Sequence, residues 1–384
     1  MAMKVIIAGA GLGGLCLAQG LKKAGIDFTV FEKDASFNSR TQGYRIRIDY
    51  AGQQSLAACL PADLYAAFEN SAALPAPVYT MDTRMQALEN KWVDQWIKDE
   101  REIPADLKAD RHTLRRVLIT GIEDQVVFDK DLTGYQVQPD QRIQCFFADG
   151  ETITADLLVI ANGAASALTG SCFPGTRLHD TGNVCIYGKV QWDEQRRQLL
   201  SPGTSVIFGE NIAGIIDVMT FNRDLHTIVT PPEDYLYWAL IGQRSSFGMQ
   251  RDQSLRQSVA ELQEAITQAT STFPAALDPL FSGAAVTASA IVPVRHSVQG
   301  RRAGHAPVTV MGDAIHTMSP AAGLGANTAL RDAAALTAHL KKSIDGGLSL
   351  MSTLLNYEDQ MLTYSAEAIA ASKKGSALLY NSGE

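Results

Sequence analysis

The tightest constraint on this chain is a glycine pattern, Gly9-x-Gly11-x-x-Gly14, set between a short apolar run and a helix-like stretch. The run, Val5-Ile6-Ile7-Ala8, is continuous rather than alternating, as suits a parallel strand covered on both faces. Leu15 to Lys23 reads as a helix stopped by Gly25, and 26–31 (IDFTVF) as the next strand. The segment is therefore a βαβ unit. In such a unit Gly9 permits the tight turn, Gly11 lets the backbone approach a pyrophosphate, and Gly14 lets helix and strand pack closely. The helix N-terminus adds unpaired N–H groups and the positive end of its dipole. Glu32, 18 residues beyond Gly14, is placed to accept hydrogen bonds from a ribose diol. The pattern fits a dinucleotide and does not by itself separate FAD from NAD.

The 384 residues are 46% apolar and 19% charged, enough for a sizeable core and roughly two to three domains. There are 33 Lys plus Arg against 41 Asp plus Glu, a net charge of −8, so no nucleic-acid partner is expected. The five cysteines are scattered and form no CxxC, which points to a reducing compartment rather than a disulfide framework. No metal site is expected either, since the seven histidines form no HExxH. The opening apolar run lacks the length of a signal segment, and no apolar stretch is long enough to span a membrane. A cytoplasmic protein is expected.

Further along, 43–48 reads as a strand, 53–70 and 110–122 as helical, and 125–129, 134–138 and 142–147 as strands. Leu157 to Ile160 reads as a buried strand ending at Ala161-Asn162-Gly163. Strand-like runs at 184–190, 204–208, 213–221, 226–230 and 235–241, with a helix-like stretch at 251–270, predict a mainly antiparallel second sheet. Residues 307–312 return to a buried strand, and the chain is helical from 326 with one break at Gly346-Gly347.

A second motif follows that last strand: Gly312-Asp313-Ala314-Ile315-His316-x3-Pro320-x2-Gly323-Leu324-Gly325-Ala326-Asn327. Asp313 projects from a strand's carboxyl edge, where ligands bind in open α/β sheets, and can accept from a sugar alcohol such as ribityl. Gly323 and Gly325 admit a flat ring close to the backbone. The helix beginning near Asn327 can stabilise negative charge on a reduced flavin. His316 reads as structural.

Together GAGLGG, Glu32 and GDAIHTMSPAAGLGAN resemble the class A FAD-dependent monooxygenases of the para-hydroxybenzoate hydroxylase type. The resemblance runs from residue 4 to about 340, with the middle matched only in layout. It implies an α/β fold: a Rossmann-like FAD-binding domain with an inserted β-sheet-rich substrate domain and C-terminal helices. The expected boundaries are 1–73, 100–175 and 294–345 for the FAD domain. Residues 74–99 and 176–293 form the substrate domain, and 346–384 a helical segment. The resemblance also implies FAD, NADPH or NADH as co-substrate, and O2. One oxygen atom would pass through a C4a-hydroperoxyflavin to an aromatic or polycyclic small molecule.

Arg111-His112-Thr113-Leu114 resembles the family's Arg-x-x-Leu at a helix start, with Arg111 reaching the FAD; with Arg115 and Arg116 beside it, an ordinary solvated helix face is the alternative reading. Gly43-Tyr44-Arg45 falls where the family places a loop beside the isoalloxazine, so Arg45 is expected to face flavin or substrate. Ala326 is expected against the pyrimidine ring and Lys33 beside the adenosine. Pro320 belongs to the same flavin loop. Tyr187, His226, Tyr237 and Arg295 in the insert are candidate pocket residues. No catalytic side chain is assigned. The chain departs from the family at Asn162, where the usual residue is Asp, and at Thr169, where it is Arg. Asn is nearly isosteric with Asp but neutral, so FAD binding survives while nicotinamide engagement is open. A flavoprotein oxidase or dehydrogenase, or a FAD-holding protein with a non-redox cyclisation or ligand-binding role, are the alternatives.

Overall fold

The computed structural model describes residues 3–39, 44–89, 104–164, 166–197, 199–200, 202–224, 228–251 and 253–380. The strands are β1 (Lys4–Ala8), β2 (Asp27–Phe31), β3 (Arg45–Ile48), β4 (Val78–Asp82), β5 (Leu107–Asp110), β6 (Val126–Val127), β7 (Leu132–Val137) and β8 (Ile143–Phe147). They continue as β9 (Thr152–Ala155), β10 (Leu157–Ile160), β11 (Arg177–Gln191), β12 (Thr204–Phe208), β13 (Ile212–Met219), β14 (Tyr235–Gln243), β15 (Ala290–Val298) and β16 (Val308–Val310). The longer helices are α1 (Leu12–Lys23), α2 (Tyr50–Cys59), α3 (Ala62–Asn70), α4 (Arg111–Ile119), α5 (Val259–Ala269), α6 (Gly325–Gly346) and α7 (Leu350–Tyr380).

The first sheet runs β16-β10-β1-β2-β6, with every pairing parallel. Its strands are short and mostly apolar because both faces are covered. Helices α1 and α6 supply Leu15, Leu17, Leu330 and Leu336 to its core, and the antiparallel β7-β8-β9 supplies Ile143, Cys145 and Phe147. Phe31 and Phe147 meet at 4.7 Å between ring centroids.

The second sheet runs β15-β11-β14-β13-β12-β4, antiparallel except for the parallel β4–β12 pair. Alternation along β14 sorts its side chains. Leu236, Trp238 and Leu240 enter a core closed by Ile266 of α5 and Phe281. Tyr237, Ala239 and Ile241 face the opposite way, toward Ala321 and the end of α7. A small antiparallel pair, β3-β5, stands between the two sheets.

Helix α7 spans 31 residues and ties both parts together. Leu354, Tyr357 and Met361 pack on the first core, and Leu379 and Tyr380 reach the second sheet. Each such fully buried apolar side chain is worth about 2 kcal/mol. Arg302 pairs with buried Glu358 of α7 through Nε–Oε2 and Nη2–Oε1 contacts of 2.5 Å, and Thr309 Oγ1 donates to the same carboxylate at 2.6 Å.

Three local readings differ from the structure. Residues 53–70 are two helices, because Pro61 holds Leu60 in an extended conformation. Only 259–269 of the 251–270 stretch is helical, starting at a Ser258–Glu261 capping box. Of 226–230, the described residues 228–230 form no strand. Among the described residues no helix is long and apolar enough to cross a membrane, and no group of three or more metal-ligating side chains occurs.

Candidate active site

The glycine turn is built as its spacing dictates. Gly9 has φ +114°, and a Cβ there would lie 2.5 Å from the carbonyl oxygen of Ala161 on the neighbouring strand end. A Cβ on Gly14 would stand 2.0 Å from the Gly9 oxygen, so the helix rests directly on the turn. A Cβ on Gly11 would meet nothing within 4 Å. That residue borders a groove of about 210 Å³ lined also by Gly13, Gly14, Arg111, Gly163, Gly312 and Asp313.

Two side chains brace the turn from opposite sides. Glu32 Oε2 accepts from Ala10 N at 2.8 Å and its Oε1 from Asp34 N at 3.1 Å. Arg115 donates through Nη2 and Nε to the Ala10 carbonyl at 3.2 and 3.3 Å. Arg115 is buried, against the alternative of an ordinary solvated helix face, while Arg116 is exposed. The glycine pattern draws attention to the helix that follows it, whereas Arg115 arrives from α4, 105 residues away.

The groove opens into a larger cavity of about 570 Å³. Both are lined by Arg111, Asp313, Gly325 and Ala326, so the glycine motif and the second motif share one floor. Gly323 has φ +64° and turns the chain before α6, whose first turn points at that floor. Pro320 and Gly323 line the cavity as well. Asn327 is spent on the protein itself: Nδ2 donates to the carbonyls of Arg47 and Gly323 at 3.0 and 2.9 Å, and Oδ1 accepts from Asp49 N at 3.1 Å. It locks the loop to β3. Asp313 is reachable through the cavity yet packed round by protein. That desolvation pushes its carboxyl up, with His316 and Arg111 pulling it back. Behind it, His316 is fully buried with Nε2 2.6 Å from Asp332 Oδ2, which also accepts from Gly312 N at 2.7 Å. Tyr364 donates to Asp332 Oδ1 at 2.6 Å.

The second sheet supplies the cavity's roof: Cys185, Tyr187, Ile215, Tyr237, Ala239, Ile241 and Val292. Burial pushes the Cys185 thiol up to about 12 and raises both tyrosines, so these phenols stay protonated donors. Leu379 of α7 closes one side, and Ser372 and Ser376 hold the 317–322 loop by hydrogen bonds of 2.8 Å to the carbonyl and Oγ of Ser319.

Arg45 enters from β3. Its Nε donates to Asp217 Oδ2 at 2.7 Å, and Lys108 Nζ donates to Oδ1 at 2.8 Å. Sequence reading passed over Asp217. Its signal is an acid in the apolar strand IAGIIDVM, on the same face as Ala213 and Ile215. Two candidates stand apart. Arg295 on β15 faces Asp180 at 3.7 Å and is absent from the cavity lining, and Lys33 is exposed on the loop after β2. His226 and Gly43 lie outside the described residues.

This arrangement fits FAD. A groove that a Gly11 Cβ would invade suits a pyrophosphate, with Arg111 beside it. Asn162 Oδ1 is buried at the β10 end without a partner among the described residues. The glycine-lined floor before α6 suits a flat ring.

Comparison with known proteins agrees. A family model described as FAD binding domain matches residues 212–372, and one described as NAD(P)-binding Rossmann-like domain matches 7–61. The dual O-methyltransferase/FAD-dependent monooxygenase CTB3 of Cercospora beticola is 32% identical over 404 residues, covering 98% of this chain and 46% of that protein. The chain spans about half the length, or less, of the curated relatives it matches first. A candidate FAD containing monooxygenase from Photorhabdus luminescens subsp. laumondii TTO1 superposes with a TM-score of 0.80 at 26% identity, covering 98% of this chain and 99% of that one. Klebsiella pneumoniae HpxO, solved with FAD and uric acid, shares the fold at a TM-score of 0.78 and 21% identity, with 98% and 88% covered. With the glycine turn, the Asp313 floor and the sheet-roofed cavity in place, the chain is similar in sequence and in fold to the FAD-dependent monooxygenases.

Proposed function

We propose that the chain inserts one oxygen atom from O2 into an aromatic or polycyclic small molecule, with NADPH or NADH as reductant. One observation carries this reading: an apolar, tyrosine-bearing cavity of about 570 Å³ shares its floor with the groove over the glycine turn. FAD, when bound, supplies the redox and oxygen chemistry. The chain's own residues bind, orient and keep water out. Ile215, Ala239, Ile241, Val292 and Leu379 offer an apolar slot for a ring system. Protonated Tyr187 and Tyr237 supply hydrogen-bond donors at its walls. The N-terminus of α6 places backbone N–H groups where negative charge on a reduced cofactor is favoured. In this reading the described residues of 1–73, 100–175 and 294–345 hold the cofactor and those of 74–99 and 176–293 hold the substrate, with 90–103 outside the described residues.

An anaerobic titration tests it. The FAD-loaded protein is mixed with NADPH or NADH, with and without a panel of phenols, naphthols and hydroxyquinones, and the visible flavin band is followed. Bleaching that accelerates at least tenfold with a ligand is expected. If no ligand speeds bleaching while dithionite still reduces the flavin, the proposal fails, and the oxidase or non-redox alternatives take its place.

A further inference from the structure

A second cavity, of about 630 Å³, lies where β11 and β14 run out of the second sheet. Alternation along β11 puts Lys189 on the same face as Tyr187, so the tyrosine wall of the first cavity continues into this one. Tyr44 stands between them. Its ring meets Tyr187 edge-on at 6.4 Å and carries the Lys189 ammonium at 4.7 Å. Tyr235 carries the same ammonium at 5.0 Å. Both rings are pinned by their own hydroxyls, Tyr44 to the Ala288 carbonyl and Tyr235 to Asp110 Oδ2 at 3.1 Å. The cation therefore rests on ring faces whose positions do not depend on it.

Lys189 differs from other interior lysines in what it does with its protons. Lys108 donates to Asp217, and Lys130 to Asp149 and Glu151. Lys189 is half-buried, and among the described residues its ammonium has no hydrogen-bond acceptor and no carboxylate within 4 Å. The charges around it are committed elsewhere. Arg196 pairs with Asp193, and Asp110 accepts from Thr113 N at 2.8 Å as well as from Tyr235. Burial holds His112, which stands in the field of Lys189, below the ordinary imidazole range. Arg115 is spent on the Ala10 and Phe37 carbonyls, and Arg116 lies over the Phe37 ring. Asp234 Oδ1 accepts from Phe221 N at 3.0 Å.

The cavity is polarised along its length. Lys189 sits two residues inside Gln191–Tyr235, the last pair of β11 and β14. The lining acids Glu233 and Asp234 lie beyond that pair, with Glu233 open to solvent. An ammonium with three unused donors beside apolar wall calls for an anion with an apolar body. Acids at the mouth repel a second negative charge at the ligand's other end.

We infer that this cavity is a second ligand site, taking a small organic monocarboxylate. The carboxylate meets the Lys189 ammonium, and the body lies against Val190, Pro232, Ala285 and Ala288. The site is divided from the first cavity by Tyr44 and does not depend on what is oxidised there.

Isothermal titration calorimetry of the FAD-loaded protein tests this with hexanoate, its uncharged amide and the dianion adipate. Hexanoate is expected to bind about tenfold or more tighter than hexanamide, and about fivefold or more tighter than adipate. Lys189→Met keeps an extended side chain over the rings and removes the charge. It should cut hexanoate affinity about tenfold or more and leave the amide within about twofold. Ser282→Trp, at an exposed position of the lining, should block both ligands with Lys189 intact. Arg45→Gln alters the first cavity and should leave hexanoate affinity within about twofold.

The inference is overturned if the wild type binds hexanoate no better than the amide, or if either Lys189→Met or Ser282→Trp binds hexanoate as tightly as the wild type. It is equally overturned if Arg45→Gln, rather than Lys189→Met, loses the acid, which would put hexanoate in the first cavity. Should Lys189→Met fail to fold, the charge selectivity of the wild type and the Ser282→Trp result decide the matter. Heat of binding needs no turnover, so failure here leaves the monooxygenase reading standing.

Discussion

Gly11 and Gly14 are three residues apart and face opposite tests. An alanine at Gly14 would put its Cβ 2.0 Å from the Gly9 oxygen, against about 3.4 Å for ordinary contact, so α1 must retreat by about 1.4 Å from the turn. Overpacking of that kind costs about 1–3 kcal/mol in the protein itself. For a chain of 384 residues with about 2.1 cal/mol/K of unfolding entropy each, that is a melting point lower by about 1–4 °C. An alanine at Gly11 meets nothing within 4 Å, and the backbone there has φ −74° and ψ −178°, which alanine adopts freely. The apoprotein should be unchanged or stabilised by about 0.4–1 kcal/mol through the unfolded chain. Its methyl would instead occupy the space a pyrophosphate needs, so FAD affinity should fall tenfold or more, about 1.4 kcal/mol. Melting curves of both variants with and without added FAD separate these effects. Gly14→Ala should melt low in either condition; Gly11→Ala should melt normally alone and gain less from FAD. A Gly11→Ala protein that keeps its flavin and its full FAD-dependent melting shift would refute the placement of the pyrophosphate.

Three further outcomes follow from the same structure. Glu358→Gln strands the buried Arg302 guanidinium and should destabilise by about 3–5 kcal/mol, a melting point lower by about 4–6 °C, with Arg302→Met/Glu358→Leu losing less than either single change implies. For His316, burial disfavours the charged ring, but the Asp332 carboxylate and its hydrogen bond outweigh that and raise its pKa above 6.5. The stabilisation is fully present below pH 6.5 and lost as pH rises through the folded value, so the melting-point gap between wild type and His316→Gln should narrow above pH 6.5; a constant gap would refute the ion pair. Leu379→Ala should cost about 2–4 kcal/mol and shift kcat/KM toward bulkier ring systems, while Leu379→Trp should favour smaller ones, read by competing two substrates of different size.

The cofactor half of the site was legible because its chemistry is local. A turn with φ +114° at Gly9 and a helix whose Gly14 leaves only 2.0 Å between an added Cβ and the Gly9 oxygen demand glycine at fixed offsets, and a strand covered on both faces demands an unbroken apolar run. The second motif was legible for the same reason, since Gly323 at φ +64° and the start of α6 lie 10 and 12 residues after Asp313 along the chain. Period-two alternation likewise marked most strands of the second sheet, and failed at 226–230, where the described residues leave the sheet.

The substrate half is an affair of long separations. Arg45 and Asp217 are 172 residues apart, Arg115 and Ala10 105, and Leu379 joins the cavity from the far end of a helix. No periodicity relates such pairs, because a charge finds its partner through the packing of elements rather than along the chain. By itself the sequence determined a βαβ nucleotide turn, a glycine-floored strand end and an apolar antiparallel sheet, each imposed by backbone geometry and burial. Tertiary structure alone decided which polar groups meet: Arg295 was drawn away to Asp180, Asn327 was spent on the loop, and Arg45 was aimed into the cavity by an acid on another sheet. The physical reason is that a buried ion must be matched by whatever the fold brings within about 4 Å, and only the assembled fold sets that distance.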